Sequence, residues 1–322
     1  MLGTSLPRIP MAQLPTPVAH LRRLSSALGG PELWVKRDDQ TGLAFGGNKA
    51  RKLELLVAEA EAQDARTLIT RGAVQSNHCR QTAAAAAARG LHSILVLSGG
   101  PPATPNGNLL LDRLLGAEIV WAHEQNPQAM LEATFARAEA EGRRPYLVPY
   151  GGSSPLGASA YALALQECLA QVLPDWIVLA SSSGGTQAGM VAGARLLGFE
   201  GRILGISVDQ PAAALRSEVA RLATEVCALL GQAAPVDPGS VLVEDRFAAP
   251  GYAVLTSLER EAISVFSRQE GILLDPVYTG RAAGALLTLA KEGRFASGQR
   301  VLFWHTGGTP ALFAYAAELA SA

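Results

Sequence analysis

A chain of 322 residues, 48% of them apolar and 17% charged, can bury a large core and predicts one or two domains. Its formal net charge of −1 gives no support for a nucleic-acid or acidic-membrane partner. Three cysteines far apart and five scattered histidines make neither a disulfide framework nor a metal-ligand cluster, so no metal is expected.

The first 21 residues, "MLGTSLPRIPMAQLPTPVAHL", carry prolines where a signal peptide needs an apolar run. No apolar segment is long enough to span a bilayer. Together these predict a cytoplasmic protein. "ELWVKR" (32–37) predicts a short strand, and "FGGNKARKLELL" (45–56) follows it. Gly46 and Gly47 permit positive φ and close backbone approach. Asn48 is a good N-cap, and apolar residues at helical spacing in "KARKLELLVAEAEA" predict a helix. Lys49 and Lys52, two of only four lysines in the chain, share one face of its first turn. Most lysines are solvated surface charges, and positive charge is unfavourable at a helix N-terminus. Two amines at this place suit an anionic or electrophilic ligand. Only lysine can lose its proton near neutral pH and form a Schiff base.

Strand- and helix-like segments then alternate: "RTLITRG" (66–72), a helix from Asn77 to Arg89, "SILVLS" (93–98), the helical "NLLLDRLLG", and "AEIVWA" (117–122). A polar helix near 127–141 precedes the strand "PYLVPYG" (145–151). Ser154 caps the next helix, with Pro155 in its first position. "DWIVLASSSGG" and "GRILGISV" are buried-type strands around an Ala/Gly-rich helix. A long helix, a loop (232–240), two more helices and "RVLFWHTGG" finish the chain. The alternation predicts an α/β fold with two open, twisted, mostly parallel sheets flanked by helices.

Ligands of such sheets bind outside the carboxyl ends of the strands, which directs attention to four strand-to-helix turns. "GGNKARK" carries the amines. "SSSGGTQAG" opens a helix, with Ser183, Gly184, Gly185 and Thr186 able to form a phosphate cup; an ordinary Gly-rich turn is the plainer reading. No G-x-G-x-x-G occurs, and Asn48 stands where a P-loop requires Lys. In "QSNH", Ser76 and Asn77 are cap residues whose hydroxyl and N–H groups could grip a carboxylate; His78 alone is more often structural. Thr306, in "HTGG", ends the last strand at its carboxyl edge, and "DPVYTG" places Tyr278 and Thr279 before an apolar helix. One cofactor uses an amine, a phosphate cup, an aromatic and a grip for an amino-acid carboxylate: pyridoxal 5′-phosphate.

The motifs "KRDD", "GGNKARKLE", "QSNHCRQTAA", "PYGGSSPLGA", "SSSGGTQAG", "APGYAV", "EGILLDPVYTGRA" and "HTGGTPALFAY" resemble, in order and over nearly the whole chain, the family of D-cysteine desulfhydrases and 1-aminocyclopropane-1-carboxylate (ACC) deaminases. That family has the tryptophan-synthase-β-like fold, with the cofactor between two domains. The resemblance implies a large domain of residues 1–50 plus 160–322, a small domain of 51–159, and a homodimer. It implies that Lys49 is the Schiff-base lysine, that Asn77 bonds the cofactor's phenolic oxygen, and that Tyr278 stacks on its ring. Lys52 and the segment from Ser183 to Thr186 would hold the phosphate. Ser76, Asn77, His78 and Tyr252 would meet the substrate, with Thr279 or Thr306 at the pyridine nitrogen.

The family's deaminases resemble "QSNQ", "VYEG" and "HLGG", whereas its desulfhydrases resemble "QSNH", "VYTG" and "HTGG". His78, Thr279 and Thr306 side with the desulfhydrases. "GYAVLTS" departs from the family pattern, lacking the proline and acidic residues that follow this tyrosine. The implied reaction is elimination from D-cysteine to pyruvate, hydrogen sulfide and ammonia. Alternatives are a lyase for another β-substituted amino acid such as L-cysteate, an ACC deaminase, and a pyridoxal-phosphate binder without turnover.

Overall fold

The computed structural model describes Leu2, residues 6–233 and residues 235–320. The remaining positions, at both ends of the expected large domain and inside the expected loop 232–240, lie outside the described residues.

In chain order the elements begin with β1 (Val18–His20), α1 (Arg22–Leu28), β2 (Glu32–Arg37) and α2 (Lys49–Ala62). There follow β3 (Thr67–Gly72), α3 (Asn77–Arg89), β4 (His92–Leu97), α4 (Gly107–Leu114), β5 (Glu118–Trp121), α5 (Pro127–Ala140) and β6 (Pro145–Leu147). Next come α6 (Pro155–Leu169), β7 (Trp176–Ser181), α7 (Gly185–Leu197), β8 (Arg202–Ser207) and α8 (Ala212–Leu229). The chain closes with β9 (Leu242–Glu244), α9 (Ser257–Glu270), α10 (Thr279–Lys291), β10 (Arg300–His305) and α11 (Ala316–Ala320). One sheet has the strand order β1-β2-β10-β7-β8-β9, the other β5-β4-β3-β6. Strand β1 runs antiparallel to β2, and every other pairing between the strands of the two sheets is parallel. The expected α/β architecture of two mostly parallel sheets is present.

Both faces of each sheet are covered because successive side chains point to opposite sides. In the larger sheet, Val178 and Phe303 pack with Phe266 and Leu286 of α9 and α10. Their neighbours Ile177, Leu302 and Trp304 pack with Tyr161 and Met190 of α6 and α7. In the smaller sheet, Leu68 faces α2 through Leu53 and Leu56, while Ile69 faces Leu131 and Ala138 of α5.

Sequence and structure differ at a few places. The three-residue strands β1 and β9 lie at sheet edges and are too short to show a period of two. The strand expected over 145–151 ends at Leu147, and residues 150–152 form a 3₁₀ turn with Gly151 and Gly152 at positive φ. Ser154 caps α6 as expected, accepting from the Gly157 N–H. Asn48 does not cap α2 through its side chain; it donates instead to Thr186 Oγ1 at 3.0 Å.

The first turn of α2 is held by a buried polar network. The Asp38 carboxylate accepts from Arg51 Nε and Nη2, Thr16 Oγ1, the Tyr161 hydroxyl and Trp304 Nε1. Arg51 also donates to both oxygens of Glu167, which takes Lys36 Nζ at 2.6 Å as well. Burial alone would raise the Asp38 carboxyl, but the Arg51 guanidinium and the hydrogen bonds of Tyr161 and Trp304 hold it below its usual range.

Candidate active site

The carboxyl ends of the strands and the starts of α2, α3 and α7 surround an open cleft, the usual place for a ligand in a fold of parallel sheets. Two glycine turns shape its floor. A Cβ on Gly307 would lie 2.6 Å from Gly47 Cα, and Gly307 has φ 85°. Only glycine lets the turn after β10 press this closely on the turn before α2. The contact is fastened by the Asn48 N–H donating to the Thr306 carbonyl at 2.9 Å.

Lys49 then projects onto the cleft wall. Among the described residues it has no hydrogen bond and no carboxylate partner. Burial disfavours its ammonium and lowers its pKa to about 8. Lys52, one turn on, is fully buried behind the wall and donates to the Gly151 carbonyl at 3.1 Å. Burial and, secondarily, the Lys49 charge push its pKa well below the usual lysine value.

Lys52 points at the start of α7. A Cβ on Gly185 would meet Ser153 Oγ at 2.4 Å and Lys52 Nζ at 2.9 Å. Gly184 takes the left-handed conformation at the helix N-cap, so the first N–H groups of α7 lack intrahelical acceptors. The Ser153 and Ser183 hydroxyls lie 2.8 Å apart, and Thr186 accepts from Asn48, which leaves its own proton to donate. Glycines that clear space, hydroxyls, helix N–H groups and an amine without a carboxylate partner form an anion cup. Ser181, beside it on the cleft wall, has a buried hydroxyl with no protein partner.

Opposite stands the start of α3. Ser76 Oγ accepts from Cys79 N at 3.1 Å, so its proton is free for the cleft. The amides of Asn77 and His78, at the helix start, have no intrahelical acceptor. Asn77 Oδ1 accepts from the buried Asn108 Nδ2 at 2.9 Å, so its NH₂ group faces away, toward Gly308, where a Cβ would meet it at 2.8 Å. Thr70 gives its proton to the Val148 carbonyl and therefore accepts from His78 Nε2 at 2.9 Å. His78 Nδ1 is left a buried, unpartnered acceptor. Burial, with the nearby Lys49 and Lys52, lowers the His78 pKa well below its usual value, so the ring is neutral.

Tyr278 lines the cleft, and its hydroxyl meets that of Tyr252 at 2.8 Å. Burial raises the pKa of both phenols, which stay protonated. Tyr252 reaches the cleft through Tyr278 and is not itself on the cavity wall. The two threonines part company. Thr306 lines the cleft, whereas the Thr279 hydroxyl donates to Asp275 Oδ1 at 2.6 Å and accepts from Asp275 N. Asp275 also accepts from the backbone N–H groups of Val277, Tyr278 and Thr279.

The structure therefore brings together Lys49, Ser76, Asn77, His78, Ser183, Gly184, Thr186, Tyr278 and Thr306 on one cavity, with Gly185 and Lys52 directly behind its cup. It leaves Thr279 outside. Sequence reasoning missed Ser153, Ser181, Asn108 and Asp275. Asp275, just ahead of a helix, has a cap-residue signal. Asn108 has none, because its partner Asn77 is 31 residues away.

The cup, the buried amine beside it and the oriented Asn77 amide fit pyridoxal phosphate. Comparison with known proteins gives the same cofactor. Residues 9–307 match the family model described as "Pyridoxal-phosphate dependent enzyme". The chain is 42% identical over 322 residues to a protein of Salmonella typhi named D-cysteine desulfhydrase, and 43% identical to one of Salmonella choleraesuis (strain SC-B67) with the same name; each alignment covers 97% of both chains. A crystal structure described as an ACC deaminase homologue superposes with a TM-score of 0.92 at 37% identity, covering 99% of this chain and 97% of that one. A fungal L-serine ammonia-lyase from Rhizomucor miehei shares the fold, with a TM-score of 0.66 at 17% identity over 98% of each chain. The match over most of the chain, the full-length relatives and a cleft built for an aldehyde-bearing phosphate establish that this chain belongs to the pyridoxal-phosphate dependent enzymes.

Proposed function

We propose that the protein is a lyase converting D-cysteine and water to pyruvate, hydrogen sulfide and ammonia. The observation that carries this reading is Lys49, an amine with its pKa lowered to about 8, placed between an anion cup and the free N–H groups of α3. The relatives named D-cysteine desulfhydrase support the substrate. When bound, pyridoxal phosphate supplies an aldehyde that condenses with amines and a ring that withdraws electrons. Lys49 would hold the aldehyde, Asn77 would donate to the phenolic oxygen, and Tyr278 would lie against the ring. Lys52, Ser183, Gly184, Gly185 and Thr186 would hold the phosphate.

Lys49 would serve as the base for the substrate Cα proton, since near pH 8 a large fraction of its amine is neutral. Ser76 and the amides of Asn77 and His78 grip the substrate carboxylate, and the Ser76 hydroxyl can pass a proton. Neutral His78 offers Nδ1 as an acceptor. Tyr252, held behind the cleft wall by its hydroxyl contact with Tyr278, would meet the substrate from that side. Thr306, on the cleft wall, would offer the ring nitrogen a neutral hydroxyl in place of an acid. A neutral partner suffices where the leaving thiolate takes the electron pair, and serves poorly where a cyclopropane must open. This disfavours ACC opening, the alternative that the 37% identical neighbour brings to mind.

The test is pyruvate and sulfide release from D- and L-cysteine, with ACC and L-cysteate alongside. Turnover of D-cysteine above the others is expected. Release from ACC alone, or no product despite a bound cofactor, would overturn the reading.

Two further results are expected at the cofactor site. Thr186→Val should weaken cofactor binding by ~1.5–3 kcal/mol, the usual loss of a hydrogen bond to a charged group, read by titrating apoprotein. Unchanged affinity would move the phosphate elsewhere. Capture of the aldehyde by apoprotein should depend on pH, because only neutral Lys49 has a free lone pair. Its rate should climb as pH rises to about 8 and level off above. A climb continuing to the ordinary lysine value of 10.5 would contradict the lowered pKa.

The proposal extends to a cytoplasmic homodimer, supported by the family resemblance, and to a large domain of 1–50 plus 160–322 with a small domain of 51–159. The division is supported by β3 to β6 forming one sheet and the other strands the second. No helix among the described residues is long and apolar enough to cross a membrane.

A further inference from the structure

Tyr252 sits in the segment 248–254, which has no regular structure and ends in the exposed Val254. Ala253 holds a left-handed φ of 61°, a conformation unfavourable for a non-glycine residue that persists only when its surroundings enforce it. Little apolar burial is available to enforce it here. What the segment does have is Arg281, in the first turn of α10 and fully buried. Its Nη1 donates to the carbonyls of Ala248 at 3.3 Å and Gly251 at 2.9 Å, and its Nη2 to Val254 at 3.1 Å. Nη1 also reaches the Val208 carbonyl, just past β8, at 2.6 Å. The guanidinium is held in turn by Glu259 Oε1 at 2.6 Å, whose other oxygen completes the capping box of α9 with Thr256. Tyr315 fastens the remaining strained residue by donating to the Ala253 carbonyl at 2.8 Å.

We propose that Arg281 is a positioning residue for the tyrosine pair: its buried fork is the template on which residues 248–254 fold, and that fold sets the Tyr252 hydroxyl against Tyr278. The inference rests on the reading above that Tyr252 meets the substrate. A planar fork is required because its donors reach carbonyls on the end of β8 and along the whole segment while Nε stays on Glu259. A lysine ammonium, a compact charge, cannot span the same set. Asp275 does the complementary work on Tyr278 through backbone N–H groups, so the two phenols are placed by two buried charges of opposite sign.

The experiment compares the parent with Arg281→Lys and with the double variant Arg281→Met/Glu259→Gln, which strands no buried charge. The first measurement is amide hydrogen exchange in apoprotein. In both variants the amides of 249–255 should exchange at least about tenfold faster, while those of β7, β8 and β10 keep their protection, as expected for a local opening. The second is a cycle with Tyr252→Phe in the loaded enzyme. Arg281→Lys should raise KM for D-cysteine about tenfold with cofactor affinity unchanged, and Tyr252→Phe should then cost far less than in the parent, because the two act through one contact. Unaltered exchange in 249–255, or equal and additive costs of Tyr252→Phe in both backgrounds, would overturn the proposal. If Tyr252→Phe is silent in the parent, the role of Tyr252 fails, and the exchange result alone decides whether Arg281 templates the segment.

Discussion

Lys49→Ala should abolish turnover while leaving a protein that still docks the cofactor. The cup of Lys52, Ser153, Ser183, Gly185 and Thr186 is untouched by the substitution, so the phosphate keeps its partners. The amine that holds the aldehyde and takes the Cα proton is gone. General-base contributions alone are ~10²–10⁴-fold, so pyruvate release from D-cysteine should fall at least about a thousandfold. The cofactor should dialyse away from the variant and remain with the parent. Borohydride reduction of the loaded parent, followed by peptide mapping, should place the label on Lys49. Label on Lys52 would exchange the two roles, and the burial of Lys52 behind Gly151 argues against that outcome. Introducing alanine at the first position of α2 creates no cavity in the core, because Lys49 faces the cleft. Stability should therefore be nearly that of the parent, and the effect is chemical.

Arg51→Leu should produce the opposite profile, a large loss of stability from a residue that never touches the cleft. Arg51 compensates Asp38, which is fully buried, and Glu167. Removing it leaves Asp38 with three neutral donors, Thr16, Tyr161 and Trp304, and no cation in hydrogen-bond contact. Breaking a buried ion pair from one side costs about 3–5 kcal/mol, which denaturant unfolding at neutral pH would read as a lower midpoint with an unchanged slope. The pH dependence has a definite sign. In the parent, the Asp38 pKa is depressed, so its contribution is present above the unfolded value and is lost as pH falls through the folded one. In the variant, burial without Arg51 raises that pKa, and protonation relieves the penalty as pH falls. The stability gap between parent and variant should therefore narrow toward acid pH. A gap constant from pH 7 to about 4 would mean that the lost packing of the side chain, and not the stranded charge, sets the cost.

Helices α2, α3 and α6, the strands β2 and β7, and the glycine turns between them were legible in the amino-acid sequence alone. Each is specified by residues within about four positions of one another: the apolar spacing of "KARKLELLVAEAEA", the Ser154–Pro155 start, the Ser76 cap. The amine, the cup and the Ser76 turn could be gathered around one ligand because each parallel sheet delivers its strand-to-helix turns to its carboxyl edge, and the edges of the two sheets face the same cleft. What the sequence left open is how side chains from different turns divide the work. Asn48 reads locally as a cap, yet its amide serves Thr186, 138 residues away. Thr279 and Thr306 read alike, and the tertiary structure separates them because Asp275 claims the Thr279 hydroxyl. Asn108, which turns Asn77, has no periodic or motif signature at all, and Arg281, which seats Tyr252, lies within "EGILLDPVYTGRA" with nothing local to name the carbonyls it serves. Their partners are set by the packing of whole elements, and a hydrogen bond within about 3 Å depends on that packing to a few tenths of an ångström. Chain order and local propensity determined which turns meet; only the folded chain decided which atoms face the cleft.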